Sequence, residues 1–177
     1  MKNIYSLGIL VIMLTVLGGC KVYNEQTNPK KGDDQLYLNL SADKVTYASG
    51  ENIEATLELS NEYEQSVLVN KRMVLNLQPV LGSLGEVYFK ITDTQGNEAD
   101  FAVRVNVRFP EEEDFIYLKP GEVISQTYLL NKWYNIPLTP GEYSVQAIYQ
   151  NNEDPNGGEE AWKGEITSNI ISISIEP

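Results

Sequence analysis

Residues 53–59 read IEATLEL, with an apolar side chain at every second position and charged or polar side chains between them. This alternation places the apolar side chains on one face of a pleated strand. The same pattern is clearest in FAVRVNVRF (101–109) and recurs in LYLNL (36–40), VYFKI (87–91) and ISISIE (171–176). Each of these stretches is therefore a predicted strand with one face in a core.

Short segments with glycine or proline separate the predicted strands. They are SGE (49–51), TQGN (94–97), KPGE (119–122) and TPGE (139–142), and each offers residues that tight turns favour. No helical stretch of ten residues is recognisable after the amino-terminal segment. Seven to nine short strands with one polar face each predict an all-β domain over residues 36–177, an immunoglobulin-like antiparallel β-sandwich.

The stretch LTPGEYSV (138–145) resembles the entry to strand F of such sandwiches. At that place a corner tyrosine bonds its hydroxyl back to the preceding backbone. Tyr143 would be this structural corner tyrosine, and Val145 would hold the position that antibody domains give to their second cysteine. The alternative is that Tyr143 is an ordinary half-buried strand aromatic.

The amino terminus has the pattern of an export signal. A lysine at position 2 and an apolar run are followed by Leu17, Gly18, Gly19 and Cys20. These four residues look like the lipobox of bacterial lipoproteins, in which the cysteine thiol accepts a diacylglyceryl group. A transmembrane helix is the alternative, but the run falls short of the roughly 20 apolar residues that a span needs. We therefore expect residues 1–19 to be removed as a lipoprotein signal peptide and Cys20 to carry the lipid.

Residues 20–35 comprise the lipidated cysteine and a polar segment that begins at residue 21. It holds too few apolar residues to offset the entropy of ordering, so a flexible tether is predicted. Membrane lipid on Cys20 would then hold the domain on a bacterial cell envelope, at an outer membrane or cell surface, outside the cytoplasm. Cys20 is the only cysteine, so an internal disulfide is impossible. The net charge of −12 argues against nucleic acid and anionic lipid headgroups as partners.

Several short motifs occur in an order that resembles two known families. The series is similar to the single-sandwich domains of the bacterial intracellular proteinase inhibitor family and to the amino-terminal domain of deuterolysin-type metallopeptidases. The resemblance covers most of residues 36–177, and it implies a fold and a place on accessory or secreted proteins, not an activity. The chain departs from the inhibitors by its export signal and by the lack of an alignable reactive loop. The motifs are Tyr47-x-x-Gly50-Glu51, Leu59-x-Asn61, Val87-x-Phe89-x-Ile91-x-Asp93-x-x-Gly96, Leu118-x-Pro120-Gly121-Glu122 and Pro140-Gly141-x-Tyr143-x-Val145.

The sequence contains no histidine, which removes most catalytic arrangements. Histidine-based triads and dyads and histidine-ligated zinc are impossible, including the zinc site of a deuterolysin. Paired carboxylates and Ser-Lys pairs arise by chance in so acidic a chain. We therefore predict a protein that is not an enzyme and has no cofactor.

Two acidic loops are weak candidates for calcium, which prefers several hard oxygen ligands. Neither loop has the spacing of an EF-hand, and a solvated, charge-rich connection is the alternative. The candidate ligands are Glu111, Glu112, Glu113 and Asp114 in the first loop and Glu153 and Asp154 in the second.

Three aromatic residues could contact a ligand. Trp133 and Tyr134 lie in a polar segment, and Trp162 follows the second acidic loop. Exposed indoles stack on sugar rings, but large aromatics more commonly cap one end of a core. The function we predict is a non-catalytic binding or accessory module for protein partners of the envelope. Peptidase inhibition, from the resemblance, and carbohydrate binding are the alternatives.

Overall fold

A computed structural model describes residues 36–76, 85–103, 106–136 and 139–177. These residues are mostly β-strand with almost no helix, which confirms the predicted all-β class. The one α-helix among them, α1 (Leu130–Trp133), has four residues, and no helix of this part is long and apolar enough to cross a membrane. The predicted signal peptide, Cys20 with its lipobox, and the tether lie outside the described residues. The strands are β1 (Leu36–Ala42), β2 (Thr46–Ala48), β3 (Glu54–Asn61), β4 (Val67–Asn70), β5 (Val87–Asp93), β6 (Phe115–Leu118), β7 (Val123–Leu129), β8 (Gly141–Asn151) and β9 (Gly164–Glu176).

The described strands form three sheets. One has the order β1-β3-β7 and is antiparallel throughout. The second has the order β2-β9-β8-β5, in which the short β2 runs parallel to β9 and the other pairs are antiparallel. The third is the antiparallel pair β4-β6. In the described residues β7 is thus an edge strand of the first sheet and β5 an edge strand of the second.

The alternating positions of the sequence build one shared core. In residues 53–59 the apolar side chains are at most 1% exposed, while the intervening ones are half-buried or exposed. They belong to a single cluster with Phe89 and Ile91 of β5 and Val145 of β8, so both larger sheets contribute to it. Each aliphatic side chain buried in this way stabilises the fold by about 1.5–3 kcal/mol.

Side-chain amides and hydroxyls cover the outer edges of two strands. At β1, the Asn169 amide bridges the two larger sheets, because its Oδ1 accepts from the Leu40 N–H at 2.8 Å and its Nδ2 donates to the Leu40 carbonyl at 2.9 Å. At β5, the Phe89 N–H donates to the Tyr134 hydroxyl at 2.7 Å. Backbone groups of Val74 and Ala99 bond β5 on either side of that point. These contacts block the pairing of another chain at both places.

The strand predicted over residues 101–109 is wrong. In the described part of this stretch, Phe101 makes one isolated bridge to Tyr134, and residues 102, 103 and 106–109 are in no strand. Val103 is 38% exposed and Phe109 is 67% exposed. An alternating pattern forms a strand only where a neighbouring strand offers an edge. The nearby edge of β5 is already bonded by the backbone at Val74 and Ala99.

Candidate functional site

An open cleft of about 680 Å³ lies between β7 and the segment 72–75, which runs beside β5. This volume is within the roughly 300–1,000 Å³ of typical ligand sites. We call it the edge cleft. Its lining residues are Arg72, Met73, Val74, Leu75, Val103, Gln126, Thr127, Tyr128, Leu129, Lys132 and Trp133.

The ladder between β3 and β7 shows which backbone groups of β7 point outward. The Leu130 N–H donates to the Ile53 carbonyl at 2.9 Å, and at the other end the Asn61 N–H donates to the Glu122 carbonyl at 3.1 Å. Bonded pairs alternate along an antiparallel ladder, so the even-numbered residues of β7 bond β3. The N–H and C=O groups of Val123, Ser125, Thr127 and Leu129 therefore point away from β3.

This outward side of β7 carries almost no hydrogen bonds to the described chain. The Gln126 side-chain amide donates to the Thr127 carbonyl at 3.2 Å, and the Leu129 carbonyl accepts the first intrahelical bond of α1, of which Leu129 is the N-cap. The sequence of β7, VISQTYL, contains no charged residue. Charges, prolines and covering side chains are the usual protection of an edge strand, and β1 and β5 show the last of these. Within the described residues, β7 is thus an edge strand open to pairing.

The opposite wall of the cleft is held by a buried carboxylate. Glu86 Oε1 accepts from Arg72 through Nε at 3.1 Å and through Nη2, and from the Asn70 amide at 3.1 Å. Its Oε2 accepts from the Val74 N–H at 3.0 Å. The side chains of Arg72 and Glu86 are 7% and 4% exposed. Burial raises the pKa of Glu86, and the Arg72 guanidinium opposes this shift.

Met73 lies in this wall with a left-handed backbone, φ 47°. A non-glycine residue in that conformation persists only where its surroundings hold it. Here the Met73 carbonyl accepts from the Tyr128 hydroxyl at 2.6 Å, and its side chain is 2% exposed. Burial raises the pKa of Tyr128, so its hydroxyl remains a donor at neutral pH. The wall is therefore fixed before any ligand arrives, which lowers the entropy cost of binding.

The charge of the edge cleft is opposite in sign to that of the whole chain. No carboxylate is among the described residues that line it, although the chain has 25 acidic and 13 basic residues. The charge of Arg72 is balanced by Glu86 behind it. Lys132 is exposed and forms no ion pair with another described residue. The cleft thus presents one unbalanced positive charge.

The three predicted aromatic contacts lie in different surroundings. Trp133 lines the edge cleft and stacks on Phe101, with ring centroids 6.3 Å apart and an interplanar angle of 19°. Tyr134 is 5% exposed in the core, and burial raises its pKa to about 12. Trp162 is half-buried and stacks on Tyr149 at 5.9 Å, packed against the core. Trp133 is therefore the member of this set that reaches the cleft.

Two of the carboxylates proposed for calcium, Asp114 and Asp154, form ion pairs within the protein. Arg108 binds Asp114 through Nη1 and Nη2 at 2.6 and 3.0 Å, and Lys163 pairs with Asp154. Burial alone would raise the pKa of Asp114, but the hydrogen bonds from Arg108 and from the Glu111 N–H lower it. No group of three or more acidic or cysteine side chains in the described part of the chain is placed to hold a metal ion.

Tyr143 makes the hydrogen bond that a corner tyrosine would make. Its hydroxyl donates to the Thr139 carbonyl at 3.0 Å and lies 3.1 Å from Thr139 Oγ1. The ring is 5% exposed, in the same core cluster as Val145. The residue thus ties the loop before β8 to the core.

No protein-family model matches the chain, and no curated protein matches it. The site therefore has to be interpreted from its own geometry. Sequence analysis found Trp133 but missed β7, the Arg72–Glu86 pair and the strained Met73. For β7, the sequence did offer a signal, namely the uncharged stretch VISQTYL (123–129) between two glycine-containing or polar segments.

Proposed function

We propose that this chain is a non-catalytic, lipid-anchored protein of the bacterial cell envelope that binds a protein partner in the edge cleft. The observation that carries the proposal is the outer edge of β7, which pairs with no other described strand and lies beside a prearranged wall. Unpaired backbone groups at a sheet edge are a template for pairing with another chain. The non-catalytic part of the proposal is supported by the sequence, which lacks histidine and whose one cysteine precedes the domain.

We further propose that the domain is an immunoglobulin-like sandwich. The orders β1-β3-β7 and β2-β9-β8-β5 match the two sheets of that fold, with β8 in the place of strand F. The corner bond of Tyr143 at the start of β8 agrees with this assignment. In such domains loops and strand edges carry the binding, and the sheets hold them in place.

The anchor part of the proposal rests on the sequence LGGC at residues 17–20. Two acyl chains on Cys20 would make membrane attachment stable, since each buried methylene contributes about 0.8 kcal/mol. We expect Cys20→Ala to abolish labelling by an alkyne-modified fatty acid and to release or misprocess the protein. Normal processing, labelling and membrane retention of this variant would refute the anchor.

The binding part is tested by photo-crosslinking in intact cells. A photoreactive amino acid at Gln126, which is exposed and lines the cleft, should give a discrete covalent adduct that mass spectrometry identifies. The matched control is Ser172, which is exposed on β9 of the other sheet and should give none. The absence of a reproducible adduct at Gln126, or equal adducts at both positions, would count against the proposal.

Carbohydrate binding is the second candidate, favoured by the position of Trp133 at the cleft. The Trp133 ring already stacks on Phe101, so a sugar has only the remaining exposed surface of the indole. Sugar binding would shift the tryptophan fluorescence on titration with envelope glycans, and Trp133→Phe would remove that shift. Peptidase inhibition rests on the family resemblance and predicts stoichiometric loss of activity in a peptidase panel.

A further inference from the structure

We infer that the partner enters the edge cleft as an extended peptide segment that carries a carboxylate and adds a strand to β7. This inference rests on the proposed function and specifies the chemistry of its partner. Three features of the cleft support it, namely the backbone groups of β7, the exposed apolar surface and the charge.

The backbone of β7 supplies the first feature. Val123, Ser125 and Thr127 direct their N–H and C=O groups into the open side, and Leu129 directs its N–H there, while its carbonyl bonds α1. Successive outward residues on a strand are about 6.6–6.8 Å apart, because each residue advances the chain by about 3.3–3.4 Å. An extended peptide has the same repeat, so its backbone can bond these groups in turn. A folded surface without an extended segment cannot satisfy them together.

Exposed apolar side chains supply the second feature. Val103 is 38% exposed and Trp133 is half-buried, and both line the cleft. Met73 and Leu75 form the wall behind them and are almost fully buried. A strand on β7 directs alternate side chains to one side, and apolar residues at those positions would cover Val103 and Trp133.

Charge supplies the third feature and also selects the occupant. Lys132 is exposed at the cleft without an ion pair among the described residues, and the lining has no carboxylate. A carboxylate in the peptide would therefore meet an unbalanced positive charge. A second copy of this chain is disfavoured, because each copy carries a net charge of −12 and like-charged molecules repel.

The test uses purified full-length protein and fluorescein-labelled heptapeptides, blocked at both ends, in an anisotropy titration. The first peptide alternates valine and threonine and carries one aspartate, and the second has lysine in place of the aspartate. The third is the aspartate peptide with every backbone nitrogen methylated, because methylation of alternate nitrogens would leave one edge of the extended peptide able to pair. We expect the aspartate peptide to bind about two- to five-fold more tightly than the lysine peptide, with the difference shrinking as salt is added. The methylated peptide should not bind, because it cannot form the ladder.

Two variants separate the backbone contribution from the charge contribution. Thr127→Pro removes an outward N–H and no backbone bond to β3, and it should abolish binding of the aspartate peptide. It also removes the 2.9 Å hydrogen bond between Thr127 Oγ1 and Thr56 Oγ1 of β3, so Thr127→Val, which loses only that bond, is the matched control and should still bind the peptide. Lys132→Glu should reverse the preference between the aspartate and lysine peptides. Lys90→Glu, at an exposed lysine on β5, is the matched control and should leave the preference as it was. Because Lys132→Glu changes only a surface charge, it tests the inference even if the proline variant fails to fold.

Each other outcome overturns a stated part of the inference. Equal binding of the methylated peptide excludes strand addition, and equal binding of the aspartate and lysine peptides excludes the carboxylate. A dimer that sedimentation detects without peptide and that Thr127→Pro removes would assign the edge to a second copy. A crosslinked partner at Gln126 in cells together with no peptide binding would leave the proposed function standing and refute this inference. Peptide binding without any adduct in cells would show that β7 accepts an extended peptide, and it would count against a protein partner in the envelope.

Discussion

Replacing Glu86 by glutamine should destabilise the protein strongly, although the side chain changes little in size. The carboxylate accepts from Arg72, Asn70 and the Val74 N–H, and both charged side chains are less than 10% exposed. A glutamine has one acceptor oxygen, so its NH2 group would face a donor at Arg72 or at Val74. Removing one partner of a buried ion pair costs about 3–5 kcal/mol, because the other charge stays buried without compensation. That is a large share of a typical stability of about 5–15 kcal/mol.

Urea unfolding followed by tryptophan fluorescence measures this loss. Glu142→Gln, at an exposed glutamate on β8, is the matched control and should stay within about 0.5 kcal/mol of the parent protein. Removing both charges with Arg72→Met and Glu86→Leu should recover part of the loss, since the uncompensated charge is then absent. A loss below about 1 kcal/mol for Glu86→Gln, with an unchanged denaturant slope, would refute the account of how the cleft wall is held.

Three further results are expected. Tyr134→Phe removes the acceptor of the buried Phe89 N–H and should cost about 1–3 kcal/mol in urea unfolding; no loss would mean that the N–H finds another partner. Asn169→Ala uncovers the Leu40 backbone and should raise self-association in light scattering as well as lower stability; unchanged behaviour in both would contradict the capping role. The pKa of Asp114 is lowered in the folded protein, so its contribution is present above the unfolded value of about 3.9 and is lost as the pH falls through the folded value. Asp114→Asn should therefore flatten the decline of the urea midpoint in acid, and an identical decline would refute the assignment.

The strands of the core could be predicted from the sequence, because their period-two alternation reflects one buried face. The predicted stretches at 36–40, 53–59 and 87–91 coincide largely with β1, β3 and β5, and the stretch at 171–176 covers the last six of the 13 residues of β9. The strand β7 was missed because it lacks a clearly buried face. Its side chains are mostly exposed, so burial did not select a clear alternation in its sequence.

The strand prediction at residues 101–109 failed for a different reason. Alternation describes how side chains would fit a pleated surface, but a strand exists only where another backbone bonds it. In the described part of that stretch, one bridge to Tyr134 is formed, and Val103 is left exposed at the cleft. The stretch where the strand prediction failed thus forms part of the candidate site. The sequence of these nine residues carries no information about whether other segments already bond the neighbouring edge of β5.

The sequence by itself determined the all-β class, the core-facing positions of β1, β3 and β5 and the absence of histidine chemistry. These follow from local periodicity and composition, which act without knowledge of distant neighbours. Only the tertiary structure decided that Arg72 meets Glu86, that Tyr128 bonds the carbonyl of Met73 across 55 positions, and that no other described strand pairs with the outer edge of β7. Such features depend on which distant segments pack side by side. The sequence of one segment does not show which other segment will bond it, or that none will.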